Sequence, residues 1–447
     1  MPNKVEFNQT YPVIEESNKL YARALGLIPS VTQTFAKGPT QYIKGVAPKY
    51  LQRGKGCRVW DVDGNEYIDY TMAVGPLSLG YCYDVVDKAI NEQLQNGIVF
   101  SLMHPLEVEV AELIRNVIPN ADSVRFSKTG ADVASAAVRL ARAYTGREKV
   151  VCCGYHGWHD WYIGITSRNV GVPLSTKDLT HTFEYNNIDS LIDAIDVDTA
   201  CVILEPYTFY SPEGDFLHEV RNLCNKTGAL LIFDEMWTGF RLAIGGAQER
   251  FNVDADLACF SKAVANGMPI SILTGRHEIM ELLEEDVFFY TTFGGETLSL
   301  ASAKATIIEL IDKKVPNYLE TSGAYLRDNY NRIVEEYNMP YTKCIGLGCR
   351  SLITFDSIAG NPLHLKSLLQ QYLIKNGILW SGFHNISYSH KMEDIEYTIN
   401  VYKEVLKNLK KAVDDKQVYQ SLLGEPVKDL FRKTSGFNIK PPLVRTN

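Results

Sequence analysis

Short, nearly unbroken apolar runs recur in the middle of the chain, separated by spacers long enough for helices. Three of them occupy residues 200–204, 229–233 and 257–261. Runs of this kind are typical of strands that are buried on both faces of a parallel sheet. From residue 121 to about residue 275, the repeated order of apolar strand, loop and helix therefore predicts an α/β sheet.

Other patterns frame this central part. Residues 58–70 alternate around Asp63-Gly64-Asn65, which predicts a β-hairpin. Helical spacing predicts helices at residues 85–95, 106–117, 363–375 and 392–411, and a strand is expected at residues 351–355. A long helical stretch, from residue 298 to 312 and onward from Pro316, predicts a bridge to a second lobe. We expect a hairpin-bearing N-terminal segment (1–75) that packs on the small domain, a large domain (76–315), and a small α+β domain with a tail (316–447).

Each of the three central runs ends next to a side chain that can do acid, base or nucleophile chemistry. Glu205 follows the first, Asp234 the second and Lys262 the third. Ligands of parallel sheets bind beyond the carboxyl ends of the strands, so these residues are expected at one edge. A fixed negative charge and an amine in one site are thus predicted. The alternative is that Lys262 only ends a strand and contacts solvent, as most lysines do.

A second element is a loop before a helix. Residues 124–126 predict a strand, Ser127 to Gly130 a tight turn, and residues 131–144 an alanine-rich helix that stops at Gly146. Thr129 is a predicted N-cap, with Asp132 three residues on. Unpaired N–H groups and the helix dipole attract anions, and Gly130 allows close approach, so the turn indicates a phosphate site. Most capped helices, however, bind nothing.

A third element is the aromatic segment 155–161, directly after the predicted strand 149–153. Aromatic rings at the end of a strand can lie flat on a planar ligand, although ordinary packing would also explain them. A phosphate cradle, a stacking ring, a carboxylate and a strand-end lysine together fit pyridoxal phosphate. That cofactor needs an amine, a carboxylate beside its ring nitrogen, and an anchor for its phosphate.

Composition narrows the function classes. The chain has 447 residues, 45% hydrophobic and 22% charged, with a net charge of −8. This charge argues against nucleic acid as a partner. No apolar stretch approaches the roughly 20 residues of a membrane span, and the first residues lack a signal-peptide core. Nine scattered cysteines without a C-x-x-C pair favour reduced thiols in the cytoplasm.

A metal site is not favoured. Cys152 and Cys153 precede His156 and His159, which suggests metal ligands at first sight. Adjacent residues of a strand point to opposite faces, however, so the two thiols cannot easily reach one ion.

The chain resembles the class III, fold-type I pyridoxal-phosphate aminotransferases, and within them the glutamate-1-semialdehyde aminomutase branch. The resemblance covers roughly residues 28–411, and its most specific segments are residues 60–69, 139–147, 155–157, 233–241 and 261–269. It implies a large domain with a mostly parallel sheet sandwiched by helices, a smaller α+β domain, and pyridoxal 5′-phosphate as cofactor.

The resemblance also implies roles for the residues around the cofactor ring. Lys262 would form the Schiff base and move the proton, and Asp234 would pair with the ring nitrogen. Tyr155 would stack on one face of the ring. Met236 stands against the other face, where the family usually has Val or Ile.

Further residues are implied for the phosphate. Thr129, Gly130 and Ala131 stand where the family has Ser-Gly-Thr, so the hydroxyl at position 131 is missing and backbone N–H groups must do more. Thr292 matches the threonine that reaches the neighbouring subunit's phosphate. This implies a homodimer with shared active sites.

The sequence departs from the aminomutases at the substrate contacts. The aminomutases bind the substrate carboxylate with an arginine, and residues 31–36 contain none here. They also carry a gating glutamate before the final helix, and residues 381–385 contain none. After Glu205-Pro206, residues 207–210 replace the usual Gly-Asn element. We therefore favour transfer from a small-molecule amino donor to a separate carbonyl acceptor over the intramolecular mutase reaction. Residues 293–298 resemble aminotransferase-like proteins of surface polysaccharide synthesis, which suggests an amino sugar or sugar acid.

Three further residues are candidate substrate contacts, and each could instead have a purely structural role. His156 and His384 would otherwise be packed structural histidines, and Arg350 a solvated strand end.

Two other classes of function are less favoured by the sequence. A nicotinamide dehydrogenase would share an α/β sheet, but the dinucleotide glycine fingerprint follows none of the candidate strands. A non-catalytic binding protein on this fold would need neither Lys262 nor Asp234, and both are present.

Overall fold

The structure, a computed structural model, describes residues 8–428. This part of the chain divides into two units. One contains the described residues up to Tyr83 together with those from Asn317 onward, and the other is Asp84–Pro316. We call them the terminal unit and the central unit.

The helices, in chain order, are α1 (Glu15–Ala24), α2 (Asp84–Leu94), α3 (Pro105–Val117), α4 (Gly130–Thr145), α5 (Asp160–Ile163), α6 (Leu174–Asp178), α7 (Ile188–Ala194), α8 (Phe216–Thr227), α9 (Gly246–Phe251), α10 (His277–Met280), α11 (Thr297–Asp312), α12 (Val315–Glu336), α13 (Pro362–Lys375) and α14 (Met392–Asp414). The strands are β1 (Leu51–Lys55), β2 (Arg58–Asp61), β3 (Glu66–Asp69), β4 (Ser123–Ser127), β5 (Lys149–Cys153), β6 (Thr180–Thr182), β7 (Thr199–Leu204), β8 (Leu230–Asp234), β9 (Leu257–Phe260), β10 (Ser271–Gly275), β11 (Thr342–Leu347), β12 (Arg350–Phe355), β13 (Ile378–Leu379) and β14 (Phe383–Asn385).

The central unit is built on a seven-stranded sheet in the order β4-β10-β9-β8-β7-β5-β6. Strand β10 runs antiparallel to both of its neighbours, and the other adjacent pairs are parallel. Because β4 and β9 are both antiparallel to β10, they point in the same direction as β8, β7, β5 and β6. The carboxyl ends of these six strands therefore share one edge, where ligands of such sheets bind.

Helix α4 covers one face of this sheet. Its alanine-rich sequence has high helix propensity, and Thr129 caps its start while Gly146, in the left-handed conformation, ends it. Val133, Ala137 and Leu140 of α4 are fully buried in one cluster with alternate residues of the strands. Helix α8 packs on β7 and β8. This packing holds the strand ends, and the loops that follow them, in fixed positions.

The terminal unit contains two smaller sheets. One has the order β1-β2-β3-β13, in which β13 runs parallel to β3, and the other has the order β11-β12-β14. The apolar core of the first sheet includes Val59, Tyr67 and Leu379. Its hairpin is the one predicted at residues 58–70, since β2 and β3 pair antiparallel around residues 62–65.

The predicted α/β sheet is confirmed, and so are the helices expected at residues 85–95, 106–117, 131–144, 298–312, 363–375 and 392–411. Strand β9 ends at Phe260, one residue earlier than expected, because the hydroxyl of Ser261 donates to the backbone oxygen of Ile270 at 2.7 Å and the chain turns there. Within residues 8–428, no helix is both long and apolar enough to cross a membrane.

Candidate active site

Asp234 is the last residue of β8, and its carboxylate is almost completely buried at the carboxyl edge of the sheet. The backbone N–H of Met236 donates to Oδ1 at 3.1 Å. Oδ2 lies 2.7 Å from Nδ1 of His156, which is also buried. A buried carboxylate without such partners would be costly, so these bonds are what allow an acid at this position.

His156 has an acceptor on each side of its ring. Nε2 lies 3.1 Å from the backbone oxygen of Cys153, at the end of β5, and Nδ1 faces Asp234. A carbonyl oxygen can only accept, so Nε2 carries a hydrogen, and one further proton must lie between Nδ1 and Oδ2. The pair therefore keeps one hydrogen on that contact, which fixes both the ring and the carboxylate in orientation.

Lys262 follows β9, the strand that pairs with β8, and β8 ends at Asp234. The register places Asp234 opposite Cys259, so Lys262 comes three residues beyond that pair, and its side chain is half-buried. Its φ of 50° lies in the left-handed region, which lysine seldom adopts. Such strain persists only where the surrounding fold imposes it, and it is common at functional sites.

The predicted turn between β4 and α4 forms a complete capping box. The N–H of Asp132 donates to Oγ1 of Thr129 at 3.3 Å, and the N–H of Thr129 donates to Oδ2 of Asp132 at 2.7 Å. The hydroxyl of Ser127 donates a second bond to Oδ2 of Asp132 at 3.0 Å. The loop is therefore rigid, and the hydroxyl hydrogen of Thr129 remains a donor that the cap does not use.

Lys128 fixes the other side of this turn. Its ammonium group donates to Glu296 at 2.6 Å, to the backbone oxygen of Pro269 at 3.1 Å and to Ser299 at 3.3 Å. Glu296 in turn caps α11. Lys128 thus ties the turn to α11, and its amine is already occupied.

Close contacts of two glycines join the loops of the site. A Cβ placed on Gly130 would lie 2.7 Å from the sulfur of Met236, and a Cβ on Gly157 would lie 2.7 Å from Cβ of Ala131. Met236 therefore packs on Gly130, and the loop after β5 packs on the start of α4. Only glycine permits these approaches without displacing the neighbour.

Tyr155 enters the same edge from the end of β5. Gly154 before it has a φ of 108°, which turns the chain sharply, and the ring of Tyr155 meets Tyr162 edge-on with 5.4 Å between centroids. Its backbone N–H donates to Glu205, the residue after β7, at 3.4 Å. The three strand ends that the sequence singled out are thus occupied as expected, by Glu205, Asp234 and Lys262.

The remaining candidates lie elsewhere. Thr292 is exposed, in the loop before α11. His384 and Arg350 belong to the terminal unit. His384 is fully buried and bonded to the hydroxyls of Ser351 at 2.9 Å and Tyr402 at 2.7 Å, which is the packed alternative. Arg350 lies over the ring of Phe383 at 5.7 Å.

Sequence reasoning assigned no role to Glu235, the residue after Asp234. Its side chain is fully buried and accepts from the hydroxyl of Thr238 and from the N–H groups of Ala247 at 2.9 Å and Gln248 at 3.1 Å. Burial raises the pKa of Glu235 to about 7, against these bonds. Through these bonds Glu235 anchors the start of α9. The sequence signal that could have identified Glu235 is the pair of adjacent acids after an apolar run.

The residues at this edge fit pyridoxal phosphate. Lys262 offers the amine, and Asp234 a carboxylate held by His156. The N–H groups of Gly130 and Ala131 at the start of α4, with the hydroxyl of Thr129, offer an anion site beside Met236. Among the described residues, no cluster of three or more His, Cys, Asp or Glu side chains could hold a metal ion.

Comparison with known proteins points to the same chemistry. The profile of the family Aminotransferase class-III matches residues 43–385. The chain is 34% identical to the 3-aminobutyryl-CoA aminotransferase of Cloacimonas acidaminovorans (strain Evry), over 90% of this chain and 99% of that protein. It is also 34% identical to the glutamate-1-semialdehyde 2,1-aminomutase of Archaeoglobus fulgidus, over 88% of this chain and all of the relative.

Solved structures agree on the architecture. The FumI protein of Sphingopyxis sp. MTA144, solved in its PLP internal aldimine form, superposes with a TM-score of 0.83 at 26% identity and covers 92% of this chain and 98% of its own. A transaminase with PLP bound has a TM-score of 0.82 at 26% identity and covers 90% of this chain and 100% of its own. These are fold-type I enzymes, so the predicted fold class is confirmed.

Proposed function

Because this chain belongs to the class III aminotransferases, we propose that it moves an amino group between two separate small molecules at the carboxyl edge of its seven-stranded sheet. It is a pyridoxal-phosphate-dependent aminotransferase of fold type I. The observation that carries the assignment of this edge is the buried pair of Asp234 and His156, one strand away from Lys262. The roles of individual residues below are part of the proposal.

When bound, pyridoxal phosphate supplies a carbonyl carbon that combines with amines and a ring that withdraws electrons from the adjacent substrate carbon. Lys262 Nζ takes the proton from the carbon that carries the amino group and returns it at the other end of the transfer. The carboxylate of Asp234 would pair with the ring nitrogen, and His156 would hold that carboxylate in orientation. Tyr155 and Met236 would contact the two faces of the ring.

The turn at the start of α4 holds the phosphate. Backbone N–H groups at Gly130 and Ala131 and the helix dipole supply most of the attraction, and the hydroxyl of Thr129 donates one more bond. Ala131 is buried and contributes no hydroxyl. We expect this to weaken phosphate binding relative to relatives with Ser-Gly-Thr, unless a second subunit adds a donor.

The second subunit is part of the proposal. In the central unit, residues 98–103 expose several apolar side chains, with Leu102 79% and Met103 82% exposed. Apolar segments this open mark an interaction surface. A homodimer would cover them, and the exposed Thr292 would reach the partner's phosphate. Mixing a Lys262→Ala protein with a Thr292→Ala protein tests this, because only mixed dimers would then contain one intact shared site.

Intramolecular mutase chemistry is the second candidate, since the relative from Archaeoglobus fulgidus is an aminomutase. Two observations favour separate donor and acceptor. Position 384 holds a buried histidine bonded to two hydroxyls, so it does not replace the missing glutamate gate. No arginine occurs in residues 31–36, where the mutase binds the substrate carboxylate.

Two acceptor classes follow from resemblance. Residues 293–298 suggest a sugar or sugar acid of surface polysaccharide synthesis. The relative from Cloacimonas acidaminovorans is named for an acyl-coenzyme A substrate. We place the reaction in the cytoplasm, in keeping with nine cysteines that form no disulfide in the described part of the chain.

A donor and acceptor screen tests the proposal. The purified enzyme is incubated with amino acids, with 3-aminobutyryl-CoA and with glutamate-1-semialdehyde, and the spectrum of the bound cofactor and the products are followed. We expect an amino donor alone to convert the cofactor to its amine form, and a keto acceptor to restore it. Efficient formation of 5-aminolevulinate, without net amine transfer from any donor, would instead establish the mutase.

A further inference from the structure

The terminal unit contains a cavity of about 560 Å³ that the chemistry above does not use. Its lining comes from residues between Tyr21 and Tyr81, together with Leu379, and all of these belong to the terminal unit. A volume of this size is in the range of pockets that hold a drug-sized ligand. We call it the N-terminal cavity.

The lining is strongly cationic. Lys37, Lys44, Lys49 and Arg53 belong to the lining of the N-terminal cavity, and among the described residues Asp69 is the one acidic residue there. On a chain with a net charge of −8, four cations around one cavity are a local reversal of sign. Such a pocket raises the local concentration of anions.

Three of these cations lack a carboxylate partner. Lys44 pairs with Glu425 at 2.7 Å, but within residues 8–428 no carboxylate lies within ion-pair distance of Lys37, Lys49 or Arg53. Lys49 donates to the side-chain oxygen of Asn18 at 2.6 Å. Burial, and then the nearby charge of Lys44, lower the pKa of Lys49. An anion in the cavity would relieve both costs.

Asp69 is a single carboxylate against four cations, and each of its oxygens already accepts one hydrogen bond. The N–H of Thr71 donates to Oδ1 at 2.7 Å, and the hydroxyl of Tyr81 donates to Oδ2 at 2.8 Å. Burial raises the pKa of Asp69, although those two bonds and the charge of Lys37 oppose the shift. The cationic side of the cavity therefore remains available.

The rest of the lining suits a flat ring. Tyr21, Tyr42, Tyr50 and Tyr81 contribute aromatic surface. The hydroxyl of Tyr50 is buried and has no hydrogen-bond partner among the described residues, which leaves a polar atom for a ligand to satisfy. Aromatic rings stack on nucleobases irrespective of their sequence, and cations bind phosphates.

Two backbone segments on the cavity wall are strained. Val31 has a φ of 53° and Ala73 a φ of 54°, and both line the cavity. A β-branched residue in the left-handed region is a marked outlier. Strain of this kind is retained where the fold must present a defined surface, and it is concentrated at ligand sites.

We propose that the N-terminal cavity binds a nucleoside diphosphate. The cations without a carboxylate partner bind the two phosphates, and the tyrosines contact the base. A nucleotide-activated sugar and an acyl-coenzyme A both carry this group.

Binding to the cofactor-loaded, full-length protein tests it by isothermal titration calorimetry. The probes are UDP, 3′-phosphoadenosine 5′-diphosphate and inorganic pyrophosphate. We expect saturable binding of one nucleotide per chain, tighter than pyrophosphate. Preference for UDP identifies an activated sugar, and preference for the adenosine nucleotide identifies a coenzyme A thioester. Absence of saturable nucleotide binding, or pyrophosphate binding as tightly as both nucleotides, would overturn the proposal.

Variants locate the site. Lys49→Gln and Arg53→Gln should each weaken nucleotide binding about tenfold, the scale of one charge-assisted bond. Lys49→Arg keeps the charge and should restore most of the affinity. The matched control is Lys410→Gln, since Lys410 lies in the same unit but pairs with Asp414 outside the cavity. Equal affinity in all four proteins would refute the location.

The outcomes separate this inference from the proposed function. Conversion of the bound cofactor by a small amino acid does not need a nucleotide. A protein that performs this half-reaction but binds no nucleotide refutes only the nucleotide site. A protein that binds nucleotides at the N-terminal cavity but exchanges no amine refutes only the aminotransfer.

Discussion

The two units each bury histidines, and they use them in opposite ways. In the central unit, His156 lies between a carboxylate and a backbone carbonyl, both of which accept hydrogen bonds. In the terminal unit, His384 lies between two hydroxyls, and burial, with the nearby His390, lowers its pKa to about 3. Burial alone therefore does not make a histidine functional. Its partners decide whether it carries a proton for another group or only fills the core.

The largest effect is expected at the lysine that makes the central unit reactive. Lys262→Ala removes the amine that joins the cofactor and moves the proton, so turnover should fall below detection, while the fold is retained because the side chain is only half-buried. Borohydride fixation followed by peptide mass spectrometry checks the attachment. A cofactor adduct on a different lysine in this variant would disprove the role of Lys262.

The next effect concerns the partner of His156. Asp234→Asn keeps the shape but removes the negative charge beside the ring nitrogen, so turnover should fall about a hundred- to a thousandfold, the scale for losing one preorganised electrostatic contact. Cofactor content should stay near that of the parent protein. A single-turnover assay with the best amino donor measures the loss, and a rate within threefold of the parent would contradict it.

One substitution in each unit tests the difference between the two buried histidines. His156→Asn should slow turnover about tenfold or more, because Asp234 loses the side chain that orients it. His384→Gln should instead destabilise the protein by about 1–3 kcal/mol, since two buried hydroxyls lose a partner, with turnover per folded molecule unchanged.

Urea unfolding and cofactor-saturated kinetics of both variants separate these effects. If His384→Gln lowered turnover as much as His156→Asn, the distinction between the two histidines would fail.

The smallest expected effect is a pH dependence of the folding stability. Its sign for the buried histidines of the terminal unit is opposite to its sign for Glu235 of the central unit. The folded-state pKa of His384 is about 3 and that of His390 about 4, each lowered first by burial, against about 6.5 when unfolded. Their stabilising contribution is present above pH 6.5 and is lost as the pH falls. Glu235, with its pKa raised to about 7 by burial, contributes below pH 4.5 and loses that contribution as the pH rises to 7.

Between pH 5 and 6.5 two histidines therefore oppose one glutamate, and stability should rise with pH by up to about 1.4 kcal/mol per unit. Glu235→Gln should make this rise steeper and His384→Gln should make it shallower. Urea midpoints at three pH values check the signs. A steeper rise in the His384 variant would be the wrong sign for a histidine buried in its neutral form.

Some of the site could be predicted because its signal is local. A strand end, a capped helix start and a residue's type are all properties of a few neighbouring positions. Thr129 and Asp132 form their capping box within one turn of chain, so spacing alone predicted it. Lys262, Asp234 and Glu205 were located as strand ends for the same reason, since apolar runs and helix-length spacers predict parallel strands.

The contacts between loops could not be predicted, because they join residues far apart in sequence. His156 and Asp234 are 78 residues apart in sequence. Their hydrogen bond favours a role for His156 in orienting Asp234 over the substrate contact that the sequence suggested. Met236 against Gly130 and Ala131 against Gly157 likewise join residues of different loops and helices. Such pairings depend on the order of strands in the sheet, which the sequence pattern does not specify.

The sequence by itself determined the class of the chain: the strands, the capped turn, the amine and the carboxylate, and through them the cofactor. Only the tertiary structure decided which buried polar groups act together. His156 and His384 both lie near apolar segments, and only their hydrogen-bond partners distinguish them. The cations of the N-terminal cavity lie within one segment, residues 37–53, but the cavity that they line also needs Tyr81 and Leu379, which only the fold brings to it. Electrostatic interactions act through space, and distance along the chain does not report them.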